Sequence, residues 1–243
     1  MNCLYRKSKI WFAILWIIVY VAGTSTADAL SHAVGIEKSI TLLFLAVLTV
    51  ISVIWLCKNG LLQEFGLCRP GMSAKQLLFY MPLIVMASCN LWFGVRWNYG
   101  SMETALYILS MLLVGFLEEL IFRGFLFNAM RVDSLKAAVI VSSLTFGIGH
   151  IVNLFNGSGA ELLPNLLQVC YAAAGGFLFV ILFIKTGSLL PCILTHSVLN
   201  ALSAFAAPLG MWQDILVSVA LCAVSLGYAL FLLKRKDNTI GTA

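Results

Sequence analysis

The sequence predicts an all-α, polytopic integral membrane protein with about eight transmembrane helices. Of its 243 residues 61% are hydrophobic and only 10% are charged, and the mean hydropathy is +1.00, values outside the range of soluble domains. Apolar runs near the ~20 residues needed to cross a hydrocarbon core recur along the whole chain. Lys and Arg gather in alternate connections between those runs, as the positive-inside rule requires of a multi-pass protein.

The eight spans fall near residues 9–27, 39–57, 76–94, 105–130, 136–152, 166–184, 188–206 and 211–233. The first follows the basic cluster "RKSK", Arg6 to Lys9, and runs through the apolar stretch from Ile10 to Ala22 to the small-residue sequence "TADA". Secretory signal peptides share that layout, and a retained first helix is expected over a cleaved one. The fifth span carries the weakest signal, because it is short and contains Ser142, Ser143, Thr145, Gly147 and Gly149. "NGSGAELLPN", Asn156 to Asn165, is a turn-rich loop. The spans divide into an N-terminal segment of about three helices, 1–104, a central segment, 105–205, and a last helix with a basic tail, 206–243.

Arg6, Lys7, Lys9, Lys58, Arg69, Lys75, Arg131, Lys136, Lys185 and the "KRK" of Lys234 to Lys236 all fall on one side of this topology. That side is the cytoplasm, and both termini lie there. The net charge of +5 comes mainly from these short clusters, a pattern that orients helices and does not indicate nucleic acid as a partner. The seven cysteines are scattered without a paired motif, so neither a disulfide framework nor a thiolate metal site is indicated. No internal repeat of the transporter kind is present, which sets a transporter behind the other readings.

Strongly polar residues inside the spans form a short set: Glu118, Glu119 and Arg123 in the fourth, His150 in the fifth, and His196 and Asn200 in the seventh. At ~1.5 Å per residue from the basic markers, Glu118 lies about 20 Å from Arg131 and His150 about 21 Å from Lys136, with His196 and Asn200 about 17 and 23 Å from Lys185. Three helices of alternating direction therefore bring four polar groups to one depth. Each central charge costs ~2.5–3.5 kcal/mol, whereas each Leu, Ile, Phe or Val returns ~0.3–0.6. Three charges against about fourteen such residues make the fourth span marginal by itself, so it must face protein or a wet cavity.

Residues four apart share a helix face, so Glu119 and Arg123 form a structural ion pair and Glu118, turned about 100° away, is free for chemistry. His150 closes "FGIGH", where Phe146 stands one turn before it and lines the site, and Gly147 and Gly149 let another backbone approach. His196 and Asn200 project from one face, with Pro191 upstream loosening the helix before them. A purely structural reading remains: a buried ion network plus an interhelical hydrogen bond worth about 0.6 kcal/mol. The coincidence of depth favours function, because ionisable groups within a membrane are functional by default.

The ordered set Glu-Glu-x-x-x-Arg at Glu118 to Arg123, Phe-x-x-x-His at Phe146 to His150 and His-x-x-x-Asn at His196 to Asn200 resembles the CAAX-processing and bacteriocin-processing (CPBP, or Abi) family of intramembrane endopeptidases, over roughly residues 105–205. That resemblance implies proteolysis in or at the edge of the bilayer, with Glu118 and His150 activating a water and His196 and Asn200 facing the scissile carbonyl. It implies a membrane-associated protein or peptide as substrate; the short chain without organelle signals is expected in a bacterial plasma membrane. Glu118, His150 and His196 also make up a zinc ligand set. The absence of His-Glu-x-x-His and the sufficiency of a glutamate mechanism favour no cofactor. A non-proteolytic immunity or scaffold protein on the same fold is the alternative.

Overall fold

The computed structural model describes residues 1–70, 80–156 and 159–235. Lys75, Lys236, Gly157, Ser158 and the start of the predicted third span, 76–79, lie outside them. In chain order the helices are α1 (Asn2–Lys7), α2 (Lys9–Val34), α3 (Ser39–Asn59), α4 (Met81–Ala87), α5 (Ser101–Met130), α6 (Leu135–Gly149), α7 (Leu162–Thr186), α8 (Leu190–Leu202) and α9 (Met211–Lys234).

The ends follow local chemistry. Ser8 and Ser134 cap α2 and α6 by accepting the amides of Trp11 and Ala137, and Gly35, Gly60 and Gly187 close α2, α3 and α7 in the left-handed conformation that favours glycine. Pro191 sits in the first turn of α8. It therefore starts that helix, where a missing N–H costs nothing, and does not loosen a helix already under way as the sequence suggested. Asn165 likewise lies in the first turn of α7 and is buried, so the predicted loop ends at Glu161.

Six helices, α2, α3, α5, α6 with its 3₁₀ extension to Leu154, α7 and α9, are long and apolar enough to cross a membrane. The third and seventh predicted spans differ: within the described residues the former contains only the seven-residue α4 and a 3₁₀ turn, Cys89–Leu91, and the latter is the short Leu190–Phe205. Both still connect opposite ends of the bundle. At the basic end Lys9 pairs with Glu64 at 3.4 Å and the Leu189 amide donates to the Gly66 carbonyl at 2.8 Å. At the other end Lys38 pairs with Asp28 at 2.7 Å, the Glu37 amide donates to Glu103, and Asn98 donates to the carbonyls of Ala204 and Ala206. The chain therefore changes ends between Cys68 and Asn98, and again between Leu189 and Ala206.

Outward-facing side chains such as Leu15, Ile18, Leu43, Val47, Val50 and Leu230 are large, apolar and exposed, the surface that lipid covers. Inside, near the basic end, Tyr5, Phe65 and Phe125 pack edge to face with one another or with Phe12 and Trp55, and Phe12 and Trp55 meet at a tilt. A second cluster joins α7 to α8 and α9 through Leu178, Phe179, Leu182, Cys192 and Leu221. The hydroxyls that weakened the fifth span are satisfied internally: Ser142 donates to the Phe122 carbonyl, Ser143 to Val139 and Thr145 to Val141, which removes their cost of burial. All seven cysteines are free thiols.

Candidate active site

The two glutamates stand where α5 changes its winding. Ser101–Glu119 is α-helical and Leu120–Phe127 continues as a π-helix, every residue of which is buried. Such i→i+5 segments are rare and frequent at functional sites. Across the change of winding, Arg123 Nη1 still donates to Glu119 Oε1 at 3.0 Å, and both side chains are 0% exposed. The expected ion pair is therefore present and fully buried.

Its surroundings explain how it is tolerated. The guanidinium carbon lies 4.1 Å from the centre of the Phe146 ring and 5.7 Å from that of Phe179, a cation–π stack that substitutes for water over the faces of the cation. Gly176 makes room for it: a Cβ there would stand 3.0 Å from Arg123 Nη2 and 3.3 Å from Phe146. Among the described residues, Arg123 Nε and Nη2 and Glu119 Oε2 have no hydrogen-bond partner.

His196 joins the two acids. Its Nδ1–H donates to Glu119 Oε1 at 2.9 Å, and its Nε2 stands 3.5 Å from Glu118 Oε2. The ring lies edge-on to Phe146. Glu118 is thus not isolated from its neighbour; one imidazole links both carboxylates. The other oxygen of Glu118 accepts the hydroxyl of Tyr20, from α2, at 2.7 Å, and its side chain is 15% exposed.

That exposure is to a cavity of about 480 Å³, whose walls include Glu118, Phe146, His150 and Asn200. His196 is not among them; it is buried behind Glu118. His150 Nδ1–H donates to the Phe146 carbonyl at 3.0 Å, which fixes the tautomer and leaves Nε2 as an acceptor. The side chain of Asn200 makes no hydrogen bond among the described residues, while its carbonyl accepts Ser203. Of the six polar residues singled out by depth and spacing, three line this cavity and the other three form the network at its back.

Sequence reasoning missed Tyr20, together with an amide chain in which Asn156 donates to Asn153, Asn153 to Gln168, and Asn165 to the His150 carbonyl. Depth was the signal available for Tyr20: it lies about 17 Å beyond Lys9 at ~1.5 Å per residue, level with His196. The two glycines before His150 also differ. A Cβ on Gly147 would stand 2.8 Å from the Ala173 amide and the Val169 carbonyl, so α6 and α7 do meet there, whereas Gly149 faces nothing within 4 Å.

Among the described residues no three His, Cys, Asp or Glu side chains converge so as to hold an ion. The Nδ1 atoms of His150 and His196 are committed to the Phe146 carbonyl and to Glu119, which leaves the Nε2 atoms as the ring positions turned to other partners.

A helical membrane bundle whose cavity is lined by a carboxylate, an imidazole and a primary amide carries the groups that a membrane-embedded hydrolase requires. Residues 100–202 match the family model described as Rce1-like, type II CAAX prenyl endopeptidase Rce1-like, and that segment is similar to the CAAX proteases. It is a multi-pass membrane protein and an endopeptidase of that type. No curated protein and no solved structure matches it.

Proposed function

We propose that this chain hydrolyses a peptide bond of a membrane-associated protein or peptide within the bilayer, using Glu118 as general base. The observation that carries this reading is the position of Glu118: one carboxylate oxygen is held by Tyr20, and the group stands in the wall of a cavity that His150 and Asn200 also line.

A water between Glu118 and His150 Nε2 gives its proton to the carboxylate while its oxygen attacks the scissile carbonyl carbon. The Asn200 amide donates to the oxyanion of the tetrahedral intermediate. Collapse breaks the C–N bond, and the proton held on Glu118 passes to the leaving amine. His196 backs the carboxylate through Nε2 and is itself anchored by Glu119, whose charge Arg123 balances. No step requires a metal. The distribution of basic loops supports cytoplasmic termini, and a bacterial plasma membrane is the expected setting.

The test compares cells producing the wild-type chain with cells producing Glu118→Gln, by cataloguing new N-termini among membrane proteins. Cleavage products present only with the wild type are expected, with their uncut precursors retained by the variant. Identical catalogues would remove the proteolytic reading and favour an immunity or scaffold role.

A further inference from the structure

The cavity has a direction. On α2 its wall descends from Asp28 through Thr24 to Tyr20, about 12 Å along the helix axis. On α5 it runs from Tyr107 through Met111 and Val114 to Glu118. From Asn156, just past the extension of α6, it runs through Asn153 to His150 and Phe146. All three helices give the same sense: Glu118 and Phe122 form the floor at mid-depth, and the rim is the end that carries the Lys38–Asp28 pair and Ala160.

That rim is the end poor in basic residues. Among the described residues only Lys38 and Arg96 stand there, against Asp28, Glu37, Glu103, Glu161 and Asp214, whereas Arg6, Lys7, Lys9, Lys58, Arg69, Arg131, Lys136, Lys185, Lys234 and Arg235 gather at the other. Between Glu118 and the basic end lie the buried π-helix and the aromatic cluster of Phe12, Trp55, Phe65 and Phe125, so the floor is sealed on that side.

We infer that the site is loaded from the side of the membrane opposite the cytoplasm, and that its substrate is an extended polypeptide segment presented at the outer face. The inference rests on the proteolytic reading for what the cavity does, and on charge asymmetry for which way it faces. The walls suit a peptide backbone: Asn90, Asn153, Asn156 and Gln168 line them, and primary amides both donate to carbonyls and accept from N–H groups. A segment held on the cytoplasmic surface could reach Glu118 only by crossing the packed half of the bundle.

Thiol labelling in intact cells tests this without requiring turnover. No native cysteine lines the cavity, so Ala160→Cys reports the rim and Ser25→Cys the interior. A membrane-impermeant maleimide added outside should label both variants and leave Cys3, at the basic end, unlabelled until the cells are permeabilised. Labelling of the two introduced thiols only after permeabilisation, or of Cys3 from outside, overturns the inference. So does a rim thiol labelled from outside beside an interior thiol that no treatment reaches. Normal outside labelling of a chain that cleaves nothing would support the direction of access and remove the proteolytic reading alone.

Discussion

At the residue scale, Asn200 separates packing from catalysis. It would act as interhelical glue if its side chain bridged to another helix, but it makes no such hydrogen bond among the described residues and faces the cavity. Replacing it with Ala is therefore expected to lower kcat by about 10²–10³, roughly 3–4 kcal/mol of transition-state stabilisation, with KM nearly unchanged. Steady-state kinetics with a thermal melt on the same sample checks this; an earlier melt with normal kcat would mark the residue as structural. A depth count along the sequence brought Glu118, His150, His196 and Asn200 together because rise per residue is fixed in any helix. Rotation about the helix axis is not fixed in the same way. The contact of His196 with Glu119, and its place behind Glu118, depends on how α8 turns against α5, which spacing within one helix does not encode. Tyr20 escaped for a different reason: a single phenol in an apolar span costs little and carries no charge to flag it.

At the element scale, the crossing of α5 and α8 holds the acids against the imidazole. Gly115 lies one turn before Glu118 and Glu119, and a Cβ there would stand 2.3 Å from Ser197 Oγ and 2.6 Å from the Ser197 amide. Ser197, next to His196, also donates to the Leu112 carbonyl. Because the obstruction includes backbone, Gly115→Ala must push the helices apart. Overpacking of this kind costs about 1–3 kcal/mol or more. The expected result is a lower melting temperature together with reduced cleavage, whereas Gly149→Ala, in open space, should change stability little. Unaltered stability in Gly115→Ala would contradict the packing described for this crossing. Helix extents were legible for the six long spans, where twenty apolar residues leave few alternatives. The π-helix was not, since a period of 3.6 assumes the winding it would have to detect. The brevity of α4 and α8 was equally hidden, because hydropathy measures solubility in lipid and not the regularity of the backbone.

At the scale of the whole molecule, the charges divide into three sets with separate tasks. Basic loops set orientation, an exposed apolar surface meets lipid, and the few interior charges are neutralised or placed in the cavity wall. Adjacent glutamates of nearly identical sequence context thereby acquire different roles: Glu119 is fully buried against Arg123, and Glu118 meets the cavity. Removing one member of a buried ion pair costs about 3–5 kcal/mol, because the remaining charge has no partner. The isosteric variants Glu118→Gln and Glu119→Gln therefore give the most direct test, purified, reconstituted into vesicles with a substrate found through its new N-terminus, and assayed with a metal chelator present. The wild type should cleave under these conditions; Glu118→Gln should melt at nearly the wild-type temperature and cleave nothing; Glu119→Gln should melt well below it. Near-normal turnover by Glu118→Gln would contradict the assignment of the base.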